Sequence, residues 1–187
     1  MTLQAPLLKT TLNGLTPSVF VAAKWYAIYT RSNFEKKIYD HLLKAQYEVF
    51  LPLVKEKRVW SDRIKTMLVP LLPSYVFVKL DKQHLQKVYY YPGVVRLVSS
   101  EGKPCEIREE EIQFMENIVT HGFKVHPNTN SCPCGVGDCV RIIRGPLKGW
   151  EGTVEHTKGH SRVVFQIASL LQGVSVEVEM GDVEVVK

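Results

Sequence analysis

Apolar positions along the chain follow two regimes. Between Lys24 and Val119, runs of period 2 alternate with stretches of period 3.6, whereas from Cys139 onward only short period-2 runs remain, separated by turn residues. Trp25, Tyr26, Ala27, Ile28 and Tyr29 form an aromatic and β-branched run without polar interruption, which predicts a strand buried on both faces. Ser32 followed three residues later by Glu35 has the spacing of a capping box, and Phe34, Ile38, Leu42 and Ala45 fall on one helical face. An amphipathic helix is therefore expected to about Gln46, with Lys36, Lys37, His41 and Lys44 on its polar side. A second strand is predicted over 47–54, and residues 55–69 read as a charged hairpin with its tip near Ser61-Asp62.

The segment LLPSYVFVKL at 71–80 predicts a third strand entered through Pro73. Tyr75 and Phe77 project from one side of it and Val76 and Val78 from the other, so the pattern alone does not say which side is core. A short helical segment near Gln83–Tyr89 and a strand over 94–98 follow, separated by Pro92-Gly93. A second helix begins near Arg108, with Glu109, Glu110 and Glu111 in the first turn, where the helix dipole favours anions, and Ile112, Met115 and Val119 facing inward. Consecutive helical positions point to different faces, so the three carboxylates do not converge on one ion.

Periodicity stops between Thr120 and Gly135, where Pro127, Asn128, Asn130 and Pro133 mark a linker. Four short runs then alternate with turns, at 139–143, 152–156, 162–167 and 174–179, the arrangement of a small antiparallel barrel. The expected organisation is a mobile extension over 1–23, an α+β domain over 24–120, a linker over 121–135 and a barrel over 136–187. Val19 to Ala23 is apolar and small enough to suggest a signal peptide, but Lys9 comes late and Gly14 and Pro17 interrupt any apolar core.

With 45% hydrophobic and 23% charged residues, the chain has a globular composition. The longest apolar stretch, residues 66–78, is broken by Pro70 and Pro73 and falls short of the roughly 20 residues of a membrane span. Four cysteines at uneven spacing are too few for a disulfide scaffold, which points to the reducing cytoplasm. Charge is localised. Residues 24–65 carry ten Lys and Arg against five Asp and Glu, while 79–127 and 128–187 are close to balanced. A concentrated surplus suits a phosphate backbone, which rewards clustered cations by counterion release. In the hairpin, Lys57, Arg58, Arg63 and Lys65 flank Trp60, the mixture of charge and ring that holds a single nucleic-acid strand, unless Trp60 folds back as core.

Cys132, Cys134 and Cys139, with His121 and His126 upstream, lack the paired spacings of a structural zinc site, and no base and orienter accompany them for nucleophilic catalysis. Gly135 to Asp138 leads into a strand rather than a helix and forms no phosphate cradle. No catalytic constellation emerges, so the expectation is a binding protein without metal or cofactor.

Trp25-Tyr26 opening a strand, LLPSYVFVKL at 71–80, YPGVVRLV at 91–98 and GDCVRIIRGPLKGWEGTV at 137–154 together resemble the NusG family of transcription elongation factors. The last segment resembles a KOW motif, with Gly145-Pro146 at its turn, Gly149 and Gly152 allowing close backbone approach, and Leu147 and Trp150 at its apolar positions. The resemblance implies an N-terminal NGN α/β sandwich, a mostly antiparallel sheet with flanking helices, linked to a C-terminal SH3-like KOW barrel.

It also implies partners. The NGN domain of such proteins docks on the clamp helices of RNA polymerase through an apolar concave face, which here falls to Tyr29, Leu72, Tyr75, Phe77 and Val94 and implies an open aromatic face. A basic face near the non-template DNA or nascent RNA matches Arg31, Lys36, Lys37, His41 and His84. The KOW barrel recruits a ribosomal protein or a termination factor, and its partner region matches Ser169, Leu170 and Leu171, which include no aromatic residue. The hairpin RVWSDRIK, the wording PSYVFV and the altered barrel loop are closer to the specialised RfaH and UpxY paralogues, antiterminators of selected operons such as surface-polysaccharide loci. The implied protein is a non-enzymatic, cytoplasmic monomer. The alternatives are a housekeeping NusG-like factor and a ribosome-associated KOW protein that binds RNA.

Overall fold

The computed structural model describes residues 8–9, 23–59, 63–126, 137–157 and 160–186. Its first layer is an antiparallel sheet of β1 (Leu8–Lys9), β3 (Glu48–Leu51), β6 (Tyr75–Leu80), β2 (Lys24–Thr30) and β10 (Glu106–Ile107) in that order, with β7 (Val94–Leu97) also paired to β2. A separate hairpin of β4 (Leu53–Val59) and β5 (Ile64–Pro70) and a small one of β8 (Ser99–Ser100) and β9 (Lys103–Pro104) branch from it. Leu8 and Lys9 pair with Leu51 and Phe50, so the segment expected to be a mobile extension adds a strand to the sheet edge.

The alternation of strand side chains supplies two apolar faces. Tyr26, Ile28, Val49, Leu51, Val76 and Val78 meet Ile38, Tyr39 and Leu42 of α1 (Glu35–Lys44) on one side. Trp25, Ala27, Phe50 and Phe77 belong to the other side, with Ile112, Met115 and Ile118 of α2 (Glu109–His121). The central strand is thus buried on both faces, as its unbroken apolar run predicted. Each such side chain contributes roughly 1.5–3 kcal/mol relative to exposure. On the α2 side Lys79 pairs with Glu48 at 3.7 Å and with Glu109 at 3.9 Å, and its ammonium lies 5.6 Å from the Trp25 ring, so one cation ties two strands to the start of the helix.

The predicted capping box at Ser32 does not form. Helix α1 starts after Phe34 without a side-chain cap, because Glu35, 6% exposed, instead accepts the Ser74 backbone N–H at 2.8 Å. Ser74 has φ 67°, so this carboxylate secures the left-handed turn that opens β6. At α2 the expected helix start is found: the Arg108 N–H donates to Glu111 at 3.0 Å, and Gly122, at φ 65°, ends the helix.

The C-terminal layer is a barrel-like antiparallel sheet in the order β11 (Val125–His126), β15 (Gln172–Glu177), β14 (His160–Ile167), β13 (Glu151–Thr157), β12 (Cys139–Ile142) and β16 (Val183–Val185). Val140, Val163, Phe165, Ile167, Val174 and Val176 fill it. Gly152 faces β14 so closely that an added Cβ would lie 2.6 Å from the Val164 carbonyl oxygen, which accounts for the expected close approach, whereas Gly149 serves a different need, a φ of 90°. Within the segment read as a linker, His121 completes α2, and Val125 and His126 pair with Val176 and Ser175.

Helix α2 also packs on this barrel. Phe114 sits between Trp150 and Phe165, with ring centroids 4.3 and 5.0 Å away, and the Asn117 amide donates to the Pro146 carbonyl at 3.2 Å. The apolar cluster therefore continues from the sheet through α2 into the barrel. Among the described residues no helix is long and apolar enough to cross a membrane.

Candidate functional site

Three clusters bring the sequence-predicted residues together. The first is aromatic. The β2–β6 register sets Tyr29 opposite Tyr75 and Ala27 opposite Phe77. The Tyr29 and Tyr75 rings meet edge to face at 5.5 Å, and the Arg96 guanidinium lies 5.5 Å from the Tyr29 ring. Burial raises the Tyr75 hydroxyl pKa, Tyr29 adds to the rise and Arg96 opposes it. Tyr29, Tyr75 and Val94 are half-buried, but Phe77 and Leu72 are 0% and 5% exposed. The expectation of an open aromatic face is therefore corrected: α2 shares this side of the sheet, and Phe77 packs against Phe50 at 6.1 Å. What the surface offers is a rim of Tyr29, Tyr75 and Arg96, while Val94 packs with the cluster on the α1 side of the sheet.

The second cluster is basic. The Arg31 N–H donates to the Gly93 carbonyl at 2.9 Å, joining the loop after β2 to the Pro92-Gly93 turn. Gly93 has φ 102° and lies against the Phe34 ring, leaving no room for a Cβ. The Lys37 ammonium stands 5.5 Å from that same ring, and His41 approaches Tyr91 at 6.5 Å. His84 approaches Tyr47 at 6.2 Å and bonds Asp81 through both its backbone N–H, at 2.9 Å, and its ring Nδ1, at 2.6 Å. The Tyr47 hydroxyl is raised by burial and then by its neighbours Tyr91 and Asp81, which links the two histidine groups. Arg31, Lys37, His41 and His84 thus share one surface. Lys36 departs from it: its ammonium donates to the Leu68 carbonyl at 2.9 Å and ties α1 to the hairpin. Tyr47, Asp81 and Tyr91 were not anticipated, and the run Tyr89-Tyr90-Tyr91 was the available signal.

The third cluster is the turn between β14 and β15. The Ser169 backbone N–H donates to Glu111 Oε1 at 3.1 Å, its hydroxyl to Oε2 at 2.5 Å, and the Cys105 thiol donates to the Ser169 carbonyl at 3.0 Å. Burial alone would raise the Glu111 pKa, but these bonds and those from Arg108 outweigh it and hold the carboxyl below its ordinary range. Burial pushes the Cys105 thiol up, reinforced by Glu111 and Glu106. Ser169 and Leu170 are therefore engaged, Leu170 at 6% exposure, while Leu171 is 87% exposed at φ 53°.

Trp60, Cys132 and Cys134 lie outside the described residues, and Cys139 is exposed at the start of β12. Among the described residues no group of three or more His, Cys, Asp or Glu side chains could hold a metal ion.

A protein-family model described as "Transcription termination factor nusG" matches residues 23–116. The transcription termination/antitermination proteins NusG of Staphylococcus aureus strains Mu50 and N315 are each 28% identical over 178 residues, covering 87% of this chain and 96% of theirs. A solved structure of Thermotoga maritima NusG superposes with a TM-score of 0.57 at 22% identity, covering 88% of this chain and 98% of that one, a likeness of fold.

Proposed function

The chain belongs to the NusG family of transcription termination factors, matched over residues 23–116, and from that premise we propose that it acts as an elongation and antitermination factor. In this reading an NGN domain over 24–120 binds the clamp helices of RNA polymerase, bridges the DNA channel and favours the closed, pause-resistant state by binding it better than the open one. The observation that carries the proposal is the aromatic rim: Tyr29 and Tyr75 in edge-to-face contact, extended by Arg96, with Tyr75 packed against the apolar cluster that holds Leu72 and Phe77.

Arg31, Lys37, His41 and His84 contact non-template DNA or nascent RNA, supported by their common surface. The KOW barrel, over 136–187, recruits a ribosomal protein or a termination factor through Ser169, Leu170 and Leu171, which requires Ser169 to leave Glu111. We read the chain as one of the specialised, operon-restricted paralogues, a reading supported by the wording of the hairpin RVWSDRIK and of the barrel loop, acting as a cytoplasmic monomer without enzymatic activity.

The test is titration of the full chain into a reconstituted bacterial elongation complex, followed by a pause-and-termination assay. Tyr29→Ala combined with Tyr75→Ala weakens binding and abolishes read-through; both residues are only half-buried, so the fold survives and circular dichroism verifies it. Unchanged affinity in the double variant removes this rim from the mechanism.

A further inference from the structure

The Tyr29–Tyr75 contact depends on the backbone that leads into it. Tyr75 opens β6 and is preceded by Ser74, whose φ of 67° is a left-handed conformation that a serine keeps only when its surroundings compensate the strain. Both peptide groups of Ser74 are engaged. Its carbonyl accepts the Thr30 N–H at 2.8 Å, and its N–H donates to Glu35 Oε1, also at 2.8 Å. Thr30 follows Tyr29 and ends β2, so the first of these bonds carries the β2–β6 ladder one step beyond the Tyr29–Tyr75 pair. On the other side of β2 the register with β7 shifts between Tyr29 and Thr30, so the regular ladder at this end of the strand is the one that runs to Ser74. Thr30, Ser74 and Glu35 are buried, in contrast to the half-buried tyrosines.

Burying a carboxylate is costly unless its oxygens are hydrogen-bonded, and the ordinary partner of an acid in a first helical turn is the N–H of its own helix. Glu35 reaches instead to a backbone donor 39 residues away in sequence. We infer that Glu35 is a positioning residue for the Tyr29–Tyr75 rim: by accepting the Ser74 N–H it holds the left-handed turn, and the turn holds Tyr75 in register with Tyr29. This rests on the polymerase-binding reading of the rim and adds to it a residue that touches no partner. Without the carboxylate, Ser74 relaxes to negative φ, its carbonyl turns away from Thr30, and Tyr75 leaves its place opposite Tyr29. Only the fraction of molecules that keeps the rim then binds, and the apparent affinity falls by that fraction.

Two readouts on the full chain test the inference: the nuclear Overhauser contact between the Tyr29 and Tyr75 rings, which needs no partner, and titration into the reconstituted elongation complex. Glu35→Ala loses the ring contact and weakens binding by about 10-fold. Glu35→Gln, whose amide oxygen still accepts the Ser74 N–H, keeps the contact and stays within about threefold. Ser74→Gly added to Glu35→Ala restores both, because glycine adopts positive φ without help. In the Tyr29→Ala plus Tyr75→Ala background, Glu35→Ala weakens binding no further. The inference is overturned if Glu35→Ala keeps the ring contact and the parental affinity, or if it weakens the tyrosine-pair variant by the same factor as the parent, which is general damage to the fold. Should Glu35→Ala alone fail to fold, the added Ser74→Gly decides: recovery of fold and ring contact together supports action through the turn, and failure to recover either refutes it. If the tyrosine-pair variant binds like the parent while Glu35→Ala still loses the ring contact, the polymerase reading of the rim falls and the role of Glu35 in building it stands.

Discussion

Replacing Phe114 by alanine tests the packing of α2 against the barrel. The Phe114 ring is 0% exposed and lies 4.3 Å from Trp150 and 5.0 Å from Phe165, both on the barrel side. Truncating a buried phenylalanine costs about 3–5 kcal/mol, which includes two aromatic pair contributions of about 0.5–1.5 kcal/mol each. The Glu111–Ser169 and Asn117–Pro146 bonds remain, so the loss falls on docking more than on either unit. At 1.4 kcal/mol per tenfold, the ratio of docked to undocked molecules drops by about two to three and a half powers of ten. In the parent chain, 15N relaxation reports one correlation time for amides of the sheet and of the barrel. In Phe114→Ala the barrel amides tumble faster than those of the sheet while both retain dispersed shifts. A variant whose two sets of amides still tumble together, with a denaturation midpoint within about 1 kcal/mol of the parent, refutes the assignment of docking energy to this ring.

The lowered carboxyl of Glu111 gives the molecule an acid dependence. Its folded pKa lies below the unfolded value of about 4.3, so its contribution is complete above that value and is lost as pH falls through the folded one. Denaturant midpoints taken between neutral pH and pH 3 fall more steeply for the parent than for Glu111→Gln, and equal slopes argue against the buried carboxylate. Gly152→Ala forces a Cβ against the Val164 carbonyl and destabilises by about 1–3 kcal/mol in thermal unfolding, while an unchanged midpoint contradicts the close approach.

The strands that were legible in the sequence are those whose side chains meet one environment per face. The unbroken run of β2 predicted double burial because no polar position interrupts it, and the turn-delimited runs after Cys139 predicted the barrel because each alternates apolar and polar. Helix α2 was readable at its start, since three glutamates in a first turn have a local cause. What escaped was nonlocal. The Ser32–Glu35 spacing suits a capping box, but the carboxylate is taken by Ser74, 39 residues away in sequence. Lys36 looked like its neighbour Lys37 until the hairpin folded back to present Leu68. Tyr75 and Phe77 left an ambiguity that depended on where α2 lies, and the strand pairings of Leu8–Lys9 and Val125–His126 come from sheet edges supplied elsewhere.

The position of α2 bears on how the molecule can be divided. A cut after Thr120 keeps the sheet covered but exposes Phe114 to water and removes its ring from Trp150 and Phe165. A cut before Glu109 leaves Trp25 and Phe77 without their lid. A barrel fragment begun at 136 lacks Val125 and His126, leaving one side of β15 with unsatisfied backbone groups ready to recruit a foreign strand. The helix is thus a party wall, and fragments made on either side of it inherit a damaged surface whose stickiness in a binding assay belongs to the cut and not to the protein.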